Sequence, residues 1–273
     1  MTTNLDHRIK DTRNLYGKEK TDMYGIAMED VKDHIEQTYG VNVLFIVVTG
    51  SHMFGTNHAG SDLDIRGIYA KPTEMELSLY PGRDTIEVTK ILGGDVDLQF
   101  YEIKKFLKLL LKANGNLIEM LLAPTIFYKY NKVDWTQLGK MSLSQELLKY
   151  YSGYANGQRK RAAKTRGAKA LVYTYREMMA GIWLARTKKI LFDFKQLQKN
   201  FREYYSWDSE IFNWASKHKD TLVEDEIWNN FMKEWEILES WLKDEMNKSP
   251  LPKEVDNYYY FNDILLDIRK KFK

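Results

Sequence analysis

One stretch of about twenty residues, lying between two apolar runs, constrains the chain most. The apolar run 43–48 predicts a buried strand, and a second apolar run follows Asp62. Between the runs lie Gly50, Ser51 and a polar loop, and Asp64 stands one residue beyond Asp62. Because strand side chains return to the same face at every second residue, we expect both carboxylates on one face. Two such carboxylates repel each other and need a cation, and hard oxygen ligands suit Mg²⁺.

Composition narrows the classes of protein that fit. The 273 residues allow one large domain or two ordinary ones, and 44% of them are hydrophobic. The absence of cysteine excludes disulfides, thiolate zinc sites and a cysteine nucleophile. No uninterrupted apolar run approaches the roughly 20 residues of a membrane span, and the first twenty residues lack the apolar centre of a secretory signal. We therefore expect a cytoplasmic protein with no membrane partner.

The period of the apolar residues changes along the chain. Strands are predicted over 43–48, 62–70, 86–91 and 95–101, with short helices between them. Beyond these strands the pattern is almost entirely helical, with long helices predicted over 167–187, 192–205, 211–246 and 256–272. The prediction is an α+β fold. A domain with a mixed sheet and flanking helices would occupy residues 1–135, and an all-α domain would occupy residues 136–273.

A third carboxylate is expected on a later strand. Residues 95–101 alternate between polar and apolar side chains, and the polar face carries Asp95 and Asp97. The alternation does not separate these two acids, but the deeper position in the strand favours Asp97. Three carboxylates (Asp62, Asp64 and Asp97) would suit a site with two metal ions for in-line attack on a phosphate.

Basic residues concentrate in one segment. The formal net charge is only +3, but residues 159–169 contain no acid and six basic residues: Arg159, Lys160, Arg161, Lys164, Arg166 and Lys169. Such a cluster indicates a phosphate-rich partner. The alternative is a solvated helix face. On the helix predicted from residue 167, Lys169 and Arg176 lie on one face.

The spacing of these residues resembles that of the motif in the DNA polymerase β-like nucleotidyltransferase superfamily. The shared pattern is Gly50 and Ser51, then ten residues, then Asp62 and Asp64 between apolar neighbours, and an acid on a later strand at Asp97. The sequence also resembles the branch of predicted nucleotidyltransferases associated with bacterial and phage RNA repair. That further resemblance lies at Arg66 and Gly67 and in residues 95–98, 102–107, 114–122, 169–179 and 251–252.

This resemblance implies a role for each site residue. Two Mg²⁺ ions would be held by Asp62, Asp64 and Asp97, and the triphosphate would contact Gly50 and Ser51. Two basic residues of the helical domain, Lys169 and Arg176, resemble residues that reach the triphosphate. For Arg66 the resemblance leaves two roles open, contact with a phosphate or an ion pair that fixes the aspartates.

The resemblance also implies an activity. It is the Mg²⁺-dependent transfer of a nucleoside monophosphate from an NTP to a hydroxyl, with release of pyrophosphate. The first acceptor to consider is an RNA 3′ end, such as that of a tRNA. A protein hydroxyl and a small molecule are the alternative acceptors. A nucleotide- or RNA-binding module without catalysis is the alternative class, although the retained metal acids disfavour it.

Overall fold

A five-stranded mixed sheet forms the first half of the protein in the computed structural model, which describes residues 27–57, 61–91 and 96–273. The strands are β1 (Asn42–Val48), β2 (Leu63–Ala70), β3 (Thr85–Ile91), β4 (Val96–Glu102) and β5 (Ile126–Lys129). Their order in the sheet is β3-β4-β2-β1-β5. Strands β2 and β4 are parallel, and the other neighbouring pairs are antiparallel.

Helices flank the sheet and then form the second half of the chain. The helices of the first half are α1 (Met28–Tyr39), α2 (Gly50–Met53), α3 (Thr73–Leu77), α4 (Ile103–Leu110) and α5 (Gly115–Leu122). The later helices are α6 (Trp135–Met141), α7 (Gln145–Thr165), α8 (Ala168–Thr187), α9 (Phe194–Tyr205), α10 (Glu210–Lys217), α11 (Asp225–Lys248) and α12 (Tyr258–Lys271). The predicted α+β fold with a helical second half is confirmed. Among the described residues, no helix is both long and apolar enough to cross a bilayer.

The sheet is buried on both faces, which explains why β1 is a continuous apolar run. On one face, Val31 and Ile35 of α1 belong to the same buried cluster as Ile65 of β2. On the other face, Ile68 of β2 belongs to a cluster that continues into the helical half, where it includes Leu171 of α8. The hydrophobic core on this second face therefore spans the sheet and the helical half. The division into residues 1–135 and 136–273 stays a prediction.

The last helix returns to the first half of the chain. The Thr73 backbone N–H donates to the Phe272 carbonyl oxygen at 2.8 Å. The Arg269 guanidinium of α12 lies 2.6 Å from the carboxylate of Glu102, which is buried at the end of β4, and it also donates to the Lys71 carbonyl oxygen at 3.1 Å. The C-terminal helix therefore packs against the sheet-bearing half, although the chain reaches it last.

The helix predicted over 211–246 is two helices, α10 and α11, separated by residues 218–224. The separating segment runs beside the junction of α7 and α8, where Gly167 and Leu222 form an antiparallel bridge. The Val223 N–H donates to the Arg166 carbonyl oxygen at 2.6 Å, and the Ala168 N–H donates to the Thr221 carbonyl oxygen at 3.0 Å. These bonds to a distant segment replace helical bonds, so the periodicity of the sequence did not predict the break.

Candidate active site

The sheet places Asp64 and Asp97 side by side. Asp64 on β2 is the direct register partner of Asp97 on β4. Neighbouring strands lie about 4.8 Å apart, and partners in a ladder point to the same face. Both side chains are partly exposed, while Leu63 and Val96 beside them are buried. The two carboxylates therefore share one accessible face.

The turn after β1 lies against Asp64 of this pair. Gly50 begins the short helix α2 and has a φ of 63°. It lies so near β2 that a β-carbon on residue 50 would stand 2.1 Å from Asp64 Oδ2. The Thr49 N–H donates to the Asp64 carbonyl oxygen at 2.8 Å. Only glycine combines this backbone conformation with so close an approach.

Ser51 lies inside the same turn, half-buried beside Gly50. The Thr56 N–H donates to the Ser51 carbonyl oxygen at 2.9 Å, and the Phe54 N–H donates to the Gly50 carbonyl oxygen at 3.1 Å. These bonds fold residues 50–56 into a compact helical turn, within the segment predicted to be a polar loop. We call residues 50–56 the glycine turn.

Arg66 links the two strands that carry the acids. Its Nη2 lies 2.8 Å from Asp64 Oδ1. Its Nη1 donates to the backbone carbonyl oxygens of Ile65 and Asp97, at 3.2 and 3.3 Å. Of the two roles that the sequence left open for Arg66, the contacts in this structure correspond to the ion pair.

The other predicted metal ligands do not complete a cluster. Asp62 lies just before β2 and is exposed. Asp95, the alternative third acid, lies outside the described residues. In the described part of the chain, no three His, Cys, Asp or Glu side chains are arranged to hold a metal ion. Asp64 and Asp97 fit a hard cation by charge and position, and a guanidinium already balances the Asp64 carboxylate.

A cavity of about 510 Å³ opens between the sheet and the helical half. This volume is typical of small-molecule sites. Its sheet side carries Asp64 and Arg66, beside Gly50 of the glycine turn. Its helical side comes from α5, α7 and the start of α8, with the polar residues Asn116, Glu119, Tyr154, Gln158, Arg161, Thr165, Lys169 and Tyr173. Asp64 therefore faces a space that both halves of the chain enclose.

Two predicted triphosphate contacts on α8 lie in different environments. Lys169 is exposed and lines the cavity. The Arg176 side chain is only 2% exposed and forms ion pairs with Glu119 at 2.6 Å and Glu177 at 2.7 Å. Its guanidinium carbon lies 3.7 Å from the centre of the Phe54 ring. The helix face shared with Lys169 continues into the core, where Arg176 is neutralised by these two acids. A contact between Arg176 and the triphosphate stays a prediction.

Burial sets the charge of the cluster formed by Arg176, Glu119 and Glu177. Desolvation, with repulsion from Glu119, raises the pKa of Glu177 to about 7, although Arg176 opposes the shift. Glu119 also accepts a hydrogen bond from the Tyr151 hydroxyl at 2.6 Å. With Glu177 protonated, one guanidinium faces one carboxylate and the buried cluster is electrically neutral.

Lys219 is a cation of the site that sequence reasoning missed. Its ammonium donates to the carbonyl oxygen of Thr56 in the glycine turn. The Lys169 N–H donates to the Lys219 carbonyl oxygen at 3.1 Å. Burial lowers the pKa of Lys219, and the nearby charge of Lys169 lowers it further. Lys219 lies in the helix break at residues 218–224, which the sequence did not reveal, so no local signal pointed to it.

The basic segment 159–169 divides into structural and accessible residues. The Arg159 guanidinium lies 5.1 Å from the Trp235 ring centre on α11. Arg166 pairs with Asp225 at 3.0 Å. In contrast, Lys160 and Lys164 are exposed, and Arg161 and Lys169 line the cavity. The segment is therefore partly a support for α11 and partly an accessible basic surface.

A mixed sheet that pairs two acids beside a glycine turn, under a helical half, is the arrangement expected of a polymerase β-like nucleotidyltransferase. The sequence model of the RlaP family, described as the RNA repair pathway DNA polymerase beta family, matches residues 26–267. The chain belongs to this family, and the predicted resemblance is confirmed.

Similar proteins occur in an archaeon and in bacteria. An uncharacterised protein of Methanocaldococcus jannaschii is 26% identical over 234 residues, which cover 82% of this chain and 83% of that protein. The uncharacterised protein YcgL of Bacillus subtilis is 34% identical over 100 residues, 37% of this chain and 38% of its own length. A solved nucleotidyltransferase-like protein of Exiguobacterium sibiricum is 13% identical with a TM-score of 0.29, over 80% of this chain and 75% of that one. A TM-score this low does not establish a shared fold.

Proposed function

We propose that this protein transfers a nucleoside monophosphate from an NTP to the 3′ hydroxyl of an RNA, with Mg²⁺ as cofactor and pyrophosphate as the second product. The observation that carries the proposal is the register pairing of Asp64 and Asp97 on an accessible face, beside a turn that only glycine can form. Membership of the family makes phosphoryl-group chemistry the first class to test.

In this proposal the acids hold the metal ions, and the metal ions act on the substrates. Asp64, Asp97 and Asp62 would hold the Mg²⁺ ions, which supply charge neutralisation for the triphosphate and the attacking oxygen. The glycine turn would approach the triphosphate through the backbone of Gly50 and the hydroxyl of Ser51. Arg66, which spans both acid-bearing strands, would keep the carboxylates in place.

The reaction needs no nucleophile from the protein. The RNA hydroxyl oxygen attacks the α-phosphorus, and the bond from that phosphorus to the oxygen bridging to the β-phosphate breaks. Pyrophosphate leaves, and the hydroxyl proton passes to solvent. Catalysis of this kind consists mostly of positioning and charge stabilisation. Lys169 lines the cavity, where it would attract the triphosphate, and Asp97 would accept a hydrogen bond from the attacking hydroxyl.

Two observations favour RNA as the acceptor. The family is described as an RNA repair pathway family. Lys160 and Lys164 are exposed on α7, the helix that also lines the cavity through Arg161. An accessible basic surface beside a catalytic cavity suits a phosphate backbone better than it suits a small neutral acceptor.

The test is incubation of the protein with each of four α-labelled NTPs and Mg²⁺, with total RNA in one series and total protein in another. We expect label in RNA with the wild type and none with Asp64→Asn. Asp267→Asn, an exposed change on α12, serves as the matched control and should retain activity. Label in protein alone would show that the acceptor is a protein and not an RNA. Absence of both label and pyrophosphate release with every acceptor pool would contradict the enzymatic proposal.

A further inference from the structure

The cavity has two chemically different ends. Along α7 its wall changes from Tyr154 and Gln158, which are neutral, to the cation Arg161 over about 10 Å. Lys169 follows at the start of α8, on the cationic side. A nucleoside triphosphate has the same polarity, with a neutral base at one end and phosphates at the other. The neutral end, where Asn116 of α5 meets α7, is the part of the cavity that phosphate chemistry does not explain.

Asn116 is held in one orientation at this neutral end. The Tyr150 hydroxyl donates to Asn116 Oδ1 at 2.8 Å. Tyr150 itself is fixed, because its ring packs so closely on α5 that a β-carbon on Gly115 would lie 2.2 Å from it. Burial raises the pKa of Tyr150, so the hydroxyl stays a donor. The bond occupies the amide oxygen and leaves the NH₂ group of Asn116 to donate to a ligand.

Tyr154 supplies a flat surface beside this amide. Its ring stacks on Tyr150 with centroids 5.8 Å apart and planes 28° apart. The residue is 37% exposed and lines the cavity. Burial raises the pKa of the Tyr154 hydroxyl, although Gln158 opposes the shift. One face of the ring is thus supported by protein while the residue remains accessible, which is how aromatic residues bind nucleobases by stacking.

We propose that Asn116 and Tyr154 form the nucleobase subsite of this cavity. Tyr154 stacks on the base, and the Asn116 NH₂ donates to a carbonyl oxygen or ring nitrogen on its edge. The inference rests on the proposed function, because it places an NTP in the cavity. It adds a determinant of base choice to that function. A base that presents a donor to the amide leaves two donors facing each other and binds less tightly.

The experiment measures equilibrium binding by calorimetry, with Mg²⁺, of ATP, GTP, CTP, UTP and inorganic tripolyphosphate as the base-free probe. We expect Asn116→Leu to weaken the best NTP by roughly 3- to 10-fold and the others by less. Tyr154→Ala is expected to weaken all four NTPs by roughly 5- to 100-fold. Tyr154→Phe keeps the ring and should bind NTPs nearly as the wild type does. Tripolyphosphate binding should stay unchanged in all three variants.

The controls separate failure of the subsite from failure of the function. Asn131→Leu changes an exposed asparagine outside the cavity and should change no affinity. Because Asn116 and Tyr154 are both exposed, the variants should fold, and their melting temperatures check this. Equal losses for NTPs and tripolyphosphate, or no loss for any NTP, would overturn the subsite alone. A wild type that binds neither NTP nor tripolyphosphate would overturn the proposed function itself, and the subsite with it.

Discussion

Gly50 and Asp64 are in such close contact that no β-carbon fits at position 50 unless the Asp64 carboxylate moves. A β-carbon at position 50 would stand 2.1 Å from Asp64 Oδ2 and 3.0 Å from its Cγ. Residue 50 also has a φ of 63°, in the left-handed region. The backbone of the glycine turn and the carboxylate of β2 thus occupy adjoining space, and the position of one fixes the position of the other.

Gly50→Ala should therefore damage the site more than the fold. A left-handed alanine costs about 1–2 kcal/mol of unfolding free energy, and the clash must also displace the Asp64 carboxylate. Since that carboxylate is a proposed metal ligand, we expect nucleotidyl transfer to fall at least tenfold beyond any loss from unfolding. Urea unfolding gives the first quantity, and labelled NTP incorporation by the folded fraction gives the second.

Gly82 provides a matched control for this substitution. Its φ is 75°, but a β-carbon there would meet nothing within 4 Å. Gly82→Ala should show a similar backbone strain and unchanged activity. If Gly50→Ala and Gly82→Ala lose stability and activity to the same extent, the contact between Gly50 and Asp64 has no role in the site.

Arg176 and Lys169 should give opposite results when their charges are removed. Arg176→Met leaves Glu119 and Glu177 without their buried partner, which typically costs about 3–5 kcal/mol of unfolding free energy. Lys169→Gln changes an exposed side chain and should cost little stability. It should instead weaken tripolyphosphate binding roughly tenfold, through loss of a charge-assisted contact.

Urea unfolding and calorimetric titration of tripolyphosphate, applied to both variants, separate the two roles. Lys188→Gln, at the exposed C-terminal cap of the same helix, is the control for the loss of a surface charge. A stable Arg176→Met protein with weakened tripolyphosphate binding would instead support Arg176 as a direct triphosphate contact.

The sequence predicted the parts of this molecule that depend on local patterns. Alternation in residues 95–101 gave β4, and Asp97 emerged on its accessible face beside Asp64. Gly50 follows the apolar run that predicted β1, and it lies in the turn beside Asp64. These features follow from periods and turn residues within one segment, so a single sequence contains them.

The remaining features depend on contacts between distant segments, which a single sequence does not contain. Arg176 and Lys169 share a helix face, but only the packing of Phe54 and Glu119 decides which of the two is buried. Lys219 reaches the glycine turn because a bridge to Gly167 interrupts the helical pattern. No spacing rule encodes these relationships.

The raised pKa of Glu177 should make stability depend on pH. Burial raises this pKa from its ordinary value of 4.5 to about 7, so between these values the folded state holds a proton that the unfolded state releases. The contribution of Glu177 to the free energy of unfolding is therefore fully present below about pH 4.5 and is lost as pH rises to about 7. Glu177→Gln, which mimics the protonated acid, should remove this contribution.

Urea unfolding of the wild type and Glu177→Gln at pH 5, 6, 7 and 8 measures the effect. The difference in unfolding free energy between the two proteins isolates the group, since the other titrations are common to both. We expect the free energy of unfolding of the variant to increase relative to that of the wild type as pH rises from 5 to 7. The difference between the two should stay constant above about pH 8. A difference that is independent of pH over this range would show that Glu177 is ionised throughout in the fold.

The exposed lysines of α7 should govern the salt dependence of RNA binding. Lys160 and Lys164 are exposed, whereas Arg159 lies over Trp235 and Arg166 pairs with Asp225. Each phosphate contact with a single strand contributes about 0.7 to the slope of log K against log salt concentration. The double change Lys160→Gln and Lys164→Gln should therefore lower the slope by about 1.4 without loss of stability. The same change at the exposed Lys129 and Lys132, in and after β5, should leave it unaltered. Filter binding of total RNA at several salt concentrations measures the slope. An equal slope for the wild type and the α7 variant would show that these lysines make no phosphate contacts and belong to a solvated helix face.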